Sequence, residues 1–281
     1  AEERIKDSFS RIASTESLFW NYWYDNGIKV APPEKFEGER GELQGAYVRV
    51  PTPGKHRYVC CNDFASLYPS SIITTNISVE NYMGSILDGQ FTEEELEEYR
   101  KDPNYFVSVL GSVYKNDKDY AFKVIQLNLK KERAKSKYLS KKLDAIVMLD
   151  MEHILKGSQP STIDYPENIV NALEEIGYPR IKNSKELRTI EDKELFKRKL
   201  AFEISYLSSK EQAIKILMNS MYGGTSHVAF AWFNLHLAND ITGEARNVIH
   251  LMERSIPKWF QDNWLNAKEL HKKLGVVVKN G

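Results

Sequence analysis

Cysteine is scarce in this chain of 281 residues: it occurs twice, as the adjacent pair Cys60 and Cys61. Neighbouring side chains in a strand point to opposite faces, so this pair is poorly placed to form a disulfide. The six histidines do not combine with the cysteines in a zinc-binding spacing. We therefore interpret both cysteines as small buried residues in a reducing compartment, which argues against a disulfide scaffold or a cysteine-based zinc site.

Net charge is also lacking, because 39 Lys and Arg residues balance 39 Asp and Glu residues. Any affinity for nucleic acid must then come from local patches of charge. No apolar run reaches membrane-spanning length, and the first residues, AEERIKDSFS, do not form a signal peptide. The composition is that of a soluble globular protein, and its length suits one large domain or two ordinary ones.

Turn and periodicity signals in the first part of the chain predict one helix and two short strands. The segment ASTESLFWNYWYDNG, residues 13–27, predicts an amphipathic helix that is capped by Ser14 or Thr15 and stopped by Gly27. Two β segments are predicted around a Pro-Gly turn within residues 46–63.

Further along, SVYKNDKDYAF (residues 112–122) predicts a hairpin, and the chain becomes helical from about residue 121. A loop is predicted over residues 156–168, and helices resume from about residue 185. Pro257 is expected to kink or end the last helix, because it lacks the donor N–H and clashes with the preceding turn.

The order of these elements is strands, a helical insertion, a helix and a final strand near residues 276–281. This order predicts an α+β fold, in which an antiparallel sheet with helices is interrupted by a long helical subdomain.

The segment DFASLYPSS places a carboxylate where a predicted strand gives way to a turn. At this position Asp63 is suited to bind a hard cation, with the backbone carbonyl of Phe64 as a second oxygen ligand. The backbone N–H groups around Ser66 and Leu67 are placed to form an anion-binding concavity beside it. The alternative is that Asp63 only caps a turn, which is a common role for aspartate.

The segment KILMNSMYGG predicts a helix with two different faces. Lys215, Asn219 and Tyr222 fall within a narrow arc, where they offer an ammonium, an amide and an aromatic ring to phosphate and base. The far side, which is expected to face a core, carries Ile214, Leu217 and Met221. Gly223 and Gly224 are expected to end the helix. An ordinary amphipathic helix would give the same pattern.

A basic stripe runs along LKKERAKSKYLSKK, where Lys130, Arg133, Lys137 and Lys141 follow helical spacing. Residues 121–145 contain eight basic and two acidic side chains. Such a stripe is the electrostatic pattern of a phosphate-binding surface, although a solvated helix face would also produce it.

Taken together, these segments resemble family B DNA polymerases. DFASLYPSS resembles the first palm motif, Asp-x-x-Ser-Leu-Tyr-Pro-Ser, and KILMNSMYG resembles the fingers motif, Lys-x-x-x-Asn-Ser-x-Tyr-Gly. QGAYV resembles the link between exonuclease and polymerase regions, and ANDITGEAR resembles the helix after the fingers motif. VPTPGKHRYV, YKNDKDY and NISVENYMG are similar to the replicative polymerases of large tailed bacteriophages.

The resemblance implies roles for the residues of the first motif. Asp63 is expected to bind two catalytic Mg²⁺ ions, with help from the Phe64 carbonyl. The amides of Ser66 and Leu67 are expected to hold the triphosphate. Tyr68 is expected to stack beneath the incoming sugar and to exclude a 2′-hydroxyl group, which would select deoxynucleotides.

Residues of the helical region are implied to contact the nucleotide and the DNA. Arg133, Lys137 and Lys215 are expected to neutralise the triphosphate as the fingers close. Asn219 is expected beside the triphosphate. The residues assigned to the nascent base pair and the DNA are Tyr222, Gly223 and Gly224.

The resemblance also implies a domain organisation and a limit. The expected segments are the end of the exonuclease region with a linker helix (1–34), the first part of the palm (35–120), the helical fingers (121–225) and a palm helix and strand (226–281). The second carboxylate motif, Gly-Asp-Thr-Asp-Ser, is absent, and Gly281 would match its glycine. Asp63 alone cannot hold two Mg²⁺ ions, so we expect no DNA synthesis by these 281 residues alone.

Two acidic pairs imitate metal-binding motifs. Asp117 and Asp119 precede the fingers region, and Asp150 and Glu152 lie within it. Because acidic pairs are commonly plain surface residues, neither pair is expected to bind metal.

The resulting hypothesis is the palm–fingers part of a Mg²⁺-dependent, DNA-directed DNA polymerase in viral replication. An alternative is a non-catalytic dNTP- and DNA-binding subunit of a split polymerase, and a protein-primed polymerase is a lesser rival. The sequence would be incomplete, deliberately shortened or naturally split. Expected partners are primer-template DNA, dNTP and the C-terminal part of the polymerase, with room for a sliding clamp and no membrane. The expected location is the cytoplasm of an infected bacterium.

Overall fold

The structure is a computed structural model that describes residues 11–29, 41–55, 62–157 and 162–275. Its elements are α1 (Arg11–Asp25), α2 (Leu67–Thr75), β1 (Tyr82–Ser85), α3 (Glu93–Lys101), β2 (Tyr105–Val107), β3 (Ser112–Lys115), α4 (Ala121–Lys142), α5 (Leu149–Leu155), α6 (Glu167–Glu175), α7 (Lys193–Thr225), α8 (Leu235–Asp262) and α9 (Lys268–Leu274). A small antiparallel sheet with many helices confirms the predicted α+β class. Within the described residues, no helix has the length and apolar character needed to cross a bilayer.

The chain divides into two compact units. The helical unit comprises residues 1–27 and 124–221, and the sheet unit comprises residues 28–123 and 222–281. One boundary follows Gly27, and the other two fall within α4 and α7, so each of these helices contributes residues to both units. The assignment of segments to palm and fingers stays a prediction.

The sheet unit contains three antiparallel strands in the order β1–β3–β2. The β2–β3 register pairs Tyr105 with Lys115, Phe106 with Tyr114 and Val107 with Val113. Gly111 has a φ of +82°, which glycine adopts without strain, and this lets the chain turn between β2 and β3. The predicted hairpin over residues 112–122 is therefore wrong, because β3 pairs with the strands that precede it.

Asn76 explains why the chain after β3 does not return as a strand. Its side-chain amide donates to the carbonyl of Lys118 at 2.7 Å and to the side chain of Asn116 at 2.9 Å. Its side-chain oxygen accepts the N–H of Tyr120 at 3.1 Å. The side-chain amide of Asn76 thus holds the loop over residues 116–120 by three hydrogen bonds. Helix α4 begins at Ala121, close to the predicted start of the helical region.

Helix α8 packs against α2 and is tied to the sheet through a buried carboxylate. The Asp240 carboxylate accepts the hydroxyl of Ser108 at 2.7 Å and the hydroxyl of Tyr114 at 2.6 Å. Asp240 is completely buried. These bonds connect the helix to β3 and to the turn before it.

Pro257 was predicted to kink or end α8, and it does not end the helix, which continues to Asp262. The aromatic rings around the proline contact one another: Trp259 lies 5.2 Å from Phe260 and 6.1 Å from Trp264, measured between ring centroids. Pro257 lacks the N–H for one helical hydrogen bond, and the helix nevertheless continues past it.

In the helical unit, α4 and α7 run antiparallel. Ser140 Oγ on α4 donates to the carbonyl of Ile204 on α7 at 3.4 Å. Arg133, about two turns earlier on α4, pairs with Glu211, about two turns later on α7. The apolar core of the unit is formed by Leu139, Leu143, Val147, Met151, Tyr165, Ile169, Ala172, Leu173, Ile181, Leu187, Ile190, Phe196, Leu200 and Leu207.

Two helix predictions in this unit need correction. Helix α1 already includes Arg11, so Ser14 and Thr15 lie inside it and do not cap it, whereas Gly27 does follow its end with a φ of +63°. Helix α6 was missed because a loop was predicted up to residue 168 and helices only from about residue 185. Its buried residues at helical spacing are Ile169, Ala172 and Leu173.

The predicted β segments of residues 46–63 are only partly testable. Residues 41–55 contain no strand, so the first segment is not β. Residues 56–61, with both cysteines, and the predicted strand at 276–281 lie outside the described residues.

Candidate nucleotide-binding site

Asp63 is exposed. It lies three residues before Ser66, the last residue of the turn that leads into α2. Asp63 does not hold the N-cap position of α2, which belongs to Ser66. Its alternative role as the cap of a turn stays a prediction. An exposed carboxylate is free to meet a cation from solvent.

Ser66 gives the start of α2 an unusual backbone. Its φ and ψ are 57° and 54°, in the left-handed region, and the helix follows directly at Leu67. The N–H of Ser70 is the first to bond within the helix, to the carbonyl of Ser66 at 2.9 Å. Pro69 has no N–H, so the helix geometry leaves the amides of Leu67 and Tyr68 without an intrahelical acceptor. A left-handed residue before a helical one turns successive amides toward the same point, as in an anion-binding nest.

The strain at Ser66 gives a testable prediction for stability. A left-handed conformation costs a non-glycine residue roughly 1–2 kcal/mol, and glycine loses about 0.5–1 kcal/mol in backbone entropy. We expect Ser66→Gly to raise the free energy of unfolding by about 0.5–1 kcal/mol, measured by urea unfolding, whereas Ser66→Ala should give no gain. A glycine variant less stable than the alanine variant would show that the backbone is not strained here.

The two sequence motifs meet in the sheet unit through their tyrosines. The ring centroids of Tyr68 and Tyr222 are 4.6 Å apart with an interplanar angle of 29°, which is a stacked geometry. Burial raises the pKa of the Tyr222 hydroxyl, Tyr68 raises it further, and Arg246 lowers it. The stack fixes the end of α7 against the start of α2, so the predicted anion-binding amides and Tyr222 lie together.

Gly223 and Gly224 do not end the helix as predicted, because α7 continues to Thr225. A Cβ at Gly224 would lie 3.3 Å from the ring of Phe230, so glycine permits the close approach of helix and ring. Gly223 is exposed, with open space where a Cβ would be. Its backbone is therefore accessible to a ligand.

Arg246 on α8 is a further residue of this region, to which sequence reasoning gave no role. Its guanidinium donates to the carbonyls of Gln44 and Gly45 at 3.0 and 2.8 Å. Asn239 and Thr242, on the same face of α8, also bond the backbone of Gln44. The spacing i, i+3, i+7 of these polar residues in ANDITGEAR was the available signal.

A cavity of about 300 Å³ lies between α2 and α8. Phe64, Ala65 and Leu67 contribute to its wall, and Glu244 lines it from α8. The Glu244 carboxylate accepts the N–H of Val109 at 2.8 Å, and burial raises its pKa. The segment after Asp63 thus borders a formed cleft.

In the helical unit, α7 has the two faces that were predicted. Lys215 and Asn219 are exposed, whereas Ile214 and Met221 are buried and Leu217 is half-buried. The helical arrangement of this motif is confirmed, and its polar side chains are open to solvent.

The basic stripe on α4 is less uniform than the sequence suggested. Lys137 is exposed, as are Lys130 and Lys141. Arg133 instead forms an ion pair with the buried Glu211 of α7, with its Nε 2.7 Å from Oε1. The sequence count of nearby acids could not reveal a partner that lies 78 residues away.

The two acidic pairs that imitate metal motifs have structural partners. Asp117 accepts the hydroxyl of Tyr120 at 2.6 Å, which lowers the pKa of Asp117, and Asp119 pairs with Lys123. The buried Asp150 accepts the hydroxyl of Tyr165 at 2.7 Å. These bonds give three of the four carboxylates structural roles.

Comparison with known proteins shows which proteins this chain resembles. A family model described as DNA polymerase family B matches residues 14–149. The DNA-directed DNA polymerase of Escherichia phage RB69 is 24% identical over 275 residues, which cover 93% of this chain. By this match, the chain resembles DNA polymerase family B over residues 14–149.

Two further DNA polymerases are similar to this chain. The DNA-directed DNA polymerase of Enterobacteria phage T4 is 23% identical over 230 residues, which are 75% of this chain and 23% of that protein. The DNA polymerase of Archaeoglobus fulgidus is 34% identical over 123 residues, which are 43% of this chain and 15% of that protein. The match to the RB69 polymerase covers 28% of that enzyme, so this chain spans less than a third of the length of the relatives it matches.

Proposed function

We propose that this chain forms the palm–fingers part of a DNA-directed DNA polymerase, which transfers a nucleotidyl group from dNTP to a primer 3′ end. Viral DNA replication in the cytoplasm of an infected bacterium is the proposed setting. The observation that carries the proposal is the stacking of Tyr68 on Tyr222. In the sequence, Tyr68 closely follows the exposed Asp63 and the left-handed Ser66.

The start of α2 is proposed to hold the triphosphate of the incoming nucleotide. The amides of Leu67 and Tyr68 point from a helix N-terminus, where aligned peptide dipoles favour an anion. Tyr68 would lie beneath the sugar and exclude a ribose 2′-hydroxyl, while Tyr222 would border the new base pair. Gly223 and Gly224 would let primer-template DNA approach the helix backbone.

Asp63 and the carbonyl of Phe64 are proposed as ligands of Mg²⁺. Carboxylate and carbonyl oxygens are the donors that this cation prefers, and Asp63 is exposed, so the donor types fit. Within the described residues, no three Asp, Glu, His or Cys side chains come together, so Asp63 would share the ions with ligands outside that set. When bound, the two ions would neutralise charge on the attacking and leaving oxygens.

The exposed cations of the helical unit are proposed to neutralise the triphosphate. Lys215 and Lys137 are exposed, and Asn219 lies one turn after Lys215 on the same face. Arg133 would have to exchange its bond to Glu211 for one to phosphate. We therefore expect Lys215 to contribute more than Arg133 in the absence of DNA.

Removal of the Lys215 charge tests the nucleotide site. We expect Lys215→Ala to weaken binding of dNTP to the 281-residue chain about 10- to 100-fold, because a hydrogen bond to a charged group is worth about 1.5–3 kcal/mol. Isothermal titration with dNTP and Mg²⁺ measures the effect. The matched control is Lys197→Ala, five turns earlier on α7, which should bind as the unchanged chain does.

Equal affinities of the Lys215 and Lys197 variants would remove Lys215 from the site. Binding of dNTP with no synthesis, even when the remaining part of a related polymerase is supplied, would instead favour a non-catalytic dNTP- and DNA-binding subunit.

A further inference from the structure

The helical unit contains a cavity of about 310 Å³ whose lining includes none of the residues assigned to the candidate nucleotide site. Faces of three helices enclose it. They belong to α4 (Lys135, Ser136, Leu139), α6 (Asn168, Asn171, Ala172, Glu175) and α7 (Glu203, Tyr206, Leu207, Lys210).

One end of the cavity is basic. Lys210 Nζ lies 3.5 Å from Glu132 Oε2, which sets the level at which α4 passes α7. Because the two helices run antiparallel, Lys135, almost one turn after Glu132, lies at the level of the residues just before Lys210. Lys135 is exposed and Lys210 is half-buried, so two ammonium groups stand at this end, and that of Lys210 is paired with Glu132.

The other end of the cavity is acidic. Lys199 Nζ donates to the carbonyl of Ile176 at 3.3 Å, which places the C-terminus of α6 beside the first half of α7. Glu175 and Glu203 are therefore neighbours. Burial and then the charge of Glu175 raise the pKa of the Glu203 carboxyl, while Lys210 lowers it. Seven residues of helix separate Glu203 from Lys210, which is about 10 Å.

An aromatic side chain stands between the two ends. Tyr206 lies one turn after Glu203 and one turn before Lys210, and 54% of its surface is exposed. Its ring gives the cavity a flat wall on which a planar group can stack. Asn171, one turn before Glu175 on α6, adds a side-chain amide to the lining.

We propose that this cavity binds one nucleoside monophosphate unit whose base is cytosine or adenine. The phosphate would lie between Lys135 and Lys210, the base would stack on Tyr206, and its exocyclic amino group would donate to Glu175 and Glu203. A carboxylate accepts from the amino group of cytosine, whereas uracil and thymine present a carbonyl there and would be repelled. The unit is either a free nucleotide or one nucleotide of a single strand.

Binding of dCMP and dUMP to the 281-residue chain tests the proposal, because these ligands share the sugar and the phosphate. They differ at the C4 edge of the base, where dCMP has an amino group and dUMP has a carbonyl beside an N–H. In EDTA, we expect dCMP to bind about tenfold more tightly than dUMP. Glu203→Gln should remove most of this preference. The same Glu203→Gln variant should bind dTTP with Mg²⁺ as the unchanged chain does, so failure of this site and failure of the dNTP site are distinguishable.

The wall and the basic end are tested with matched variants. Tyr206→Ala should weaken dCMP binding about tenfold, and Tyr206→Phe should retain it. Lys135→Ala should weaken binding about five- to tenfold, whereas Lys131→Ala removes the same charge from the same helix outside the cavity and should have no effect.

Oligo(dC) of increasing length separates the two sources of the nucleotide. Affinity that rises with strand length identifies a single strand as the ligand, and affinity independent of length identifies the free nucleotide; both outcomes support the cavity. Equal binding of dCMP and dUMP, or equal binding by the Lys135 and Lys131 variants, would overturn the proposal.

Discussion

Asp63→Asn is expected to lower the rate of primer extension about a thousandfold in a polymerase that contains this chain. The substitution keeps the size of the side chain and removes its charge, so the exposed site loses its anionic ligand for Mg²⁺. Metal ions contribute several kcal/mol to stabilisation of charge in nucleotidyl transfer, and each 1.36 kcal/mol is a factor of ten in rate. The assay uses the RB69 polymerase, in which this chain replaces the aligned 275-residue segment.

Asp262→Asn provides the matched control, since Asp262 is an exposed aspartate at the end of α8 in the same unit. We expect its primer extension to equal that of the unchanged chimera. A second measurement is Mn²⁺ binding to the 281-residue chain, which should weaken in Asp63→Asn and not in Asp262→Asn. Primer extension at the full rate by the Asp63→Asn variant would contradict the assignment of this carboxylate as a metal ligand.

Local sequence patterns predicted those parts of the molecule in which neighbouring residues set the outcome. The polar and apolar faces of α7 follow from 100° per residue, so the exposure of Lys215 and the burial of Met221 were readable in advance. The start of the helical region near residue 121 was predicted for the same reason. The α+β class followed from the order of such segments.

Long-range contacts explain what the patterns could not predict. The segment after β3 has turn residues that suit a hairpin, yet Asn76, about 40 residues earlier, holds it as a loop. Arg133 had the spacing of a free cation, but its partner Glu211 comes from another helix. The left-handed backbone of Ser66 is not encoded by any local preference, because serine has no special tolerance for positive φ.

Loss of the Asp240 carboxylate has the largest expected effect on stability. This side chain is fully buried and accepts the hydroxyls of Ser108 and Tyr114, which would both be left buried without an acceptor in Asp240→Ala. An unsatisfied buried polar group costs about 1–3 kcal/mol, so we expect the free energy of unfolding to fall by about 3 kcal/mol. Urea unfolding measures it, with the exposed Asp262→Ala as the control that should change little.

The Asp240 carboxylate also predicts how stability depends on pH. Its contribution to the free energy of unfolding should fall as pH rises, whereas an aspartate with a lowered pKa would contribute more at higher pH. Burial raises the pKa of Asp240 above its ordinary value of 3.8, against the hydrogen bonds and the charge of His236, which lower it. The native state therefore holds a proton that the unfolded chain releases, and stability from this group is full below pH 3.8 and is lost as pH rises through the raised pKa. Glu244 and Tyr114 also face this group, and Asp240 raises the pKa of both side chains.

Comparison with Asp240→Asn isolates this titration, because the amide has the same shape and does not ionise. We expect the unfolding free energy of the unchanged chain, relative to this variant, to decrease as pH rises above 3.8 and then to level off. A difference that instead increases with pH would mean that the hydrogen bonds from Ser108 and Tyr114 outweigh burial and keep Asp240 ionised. In that case the buried carboxylate would anchor α8 to the sheet as an anion, and Asp240→Asn would lose most stability near neutral pH.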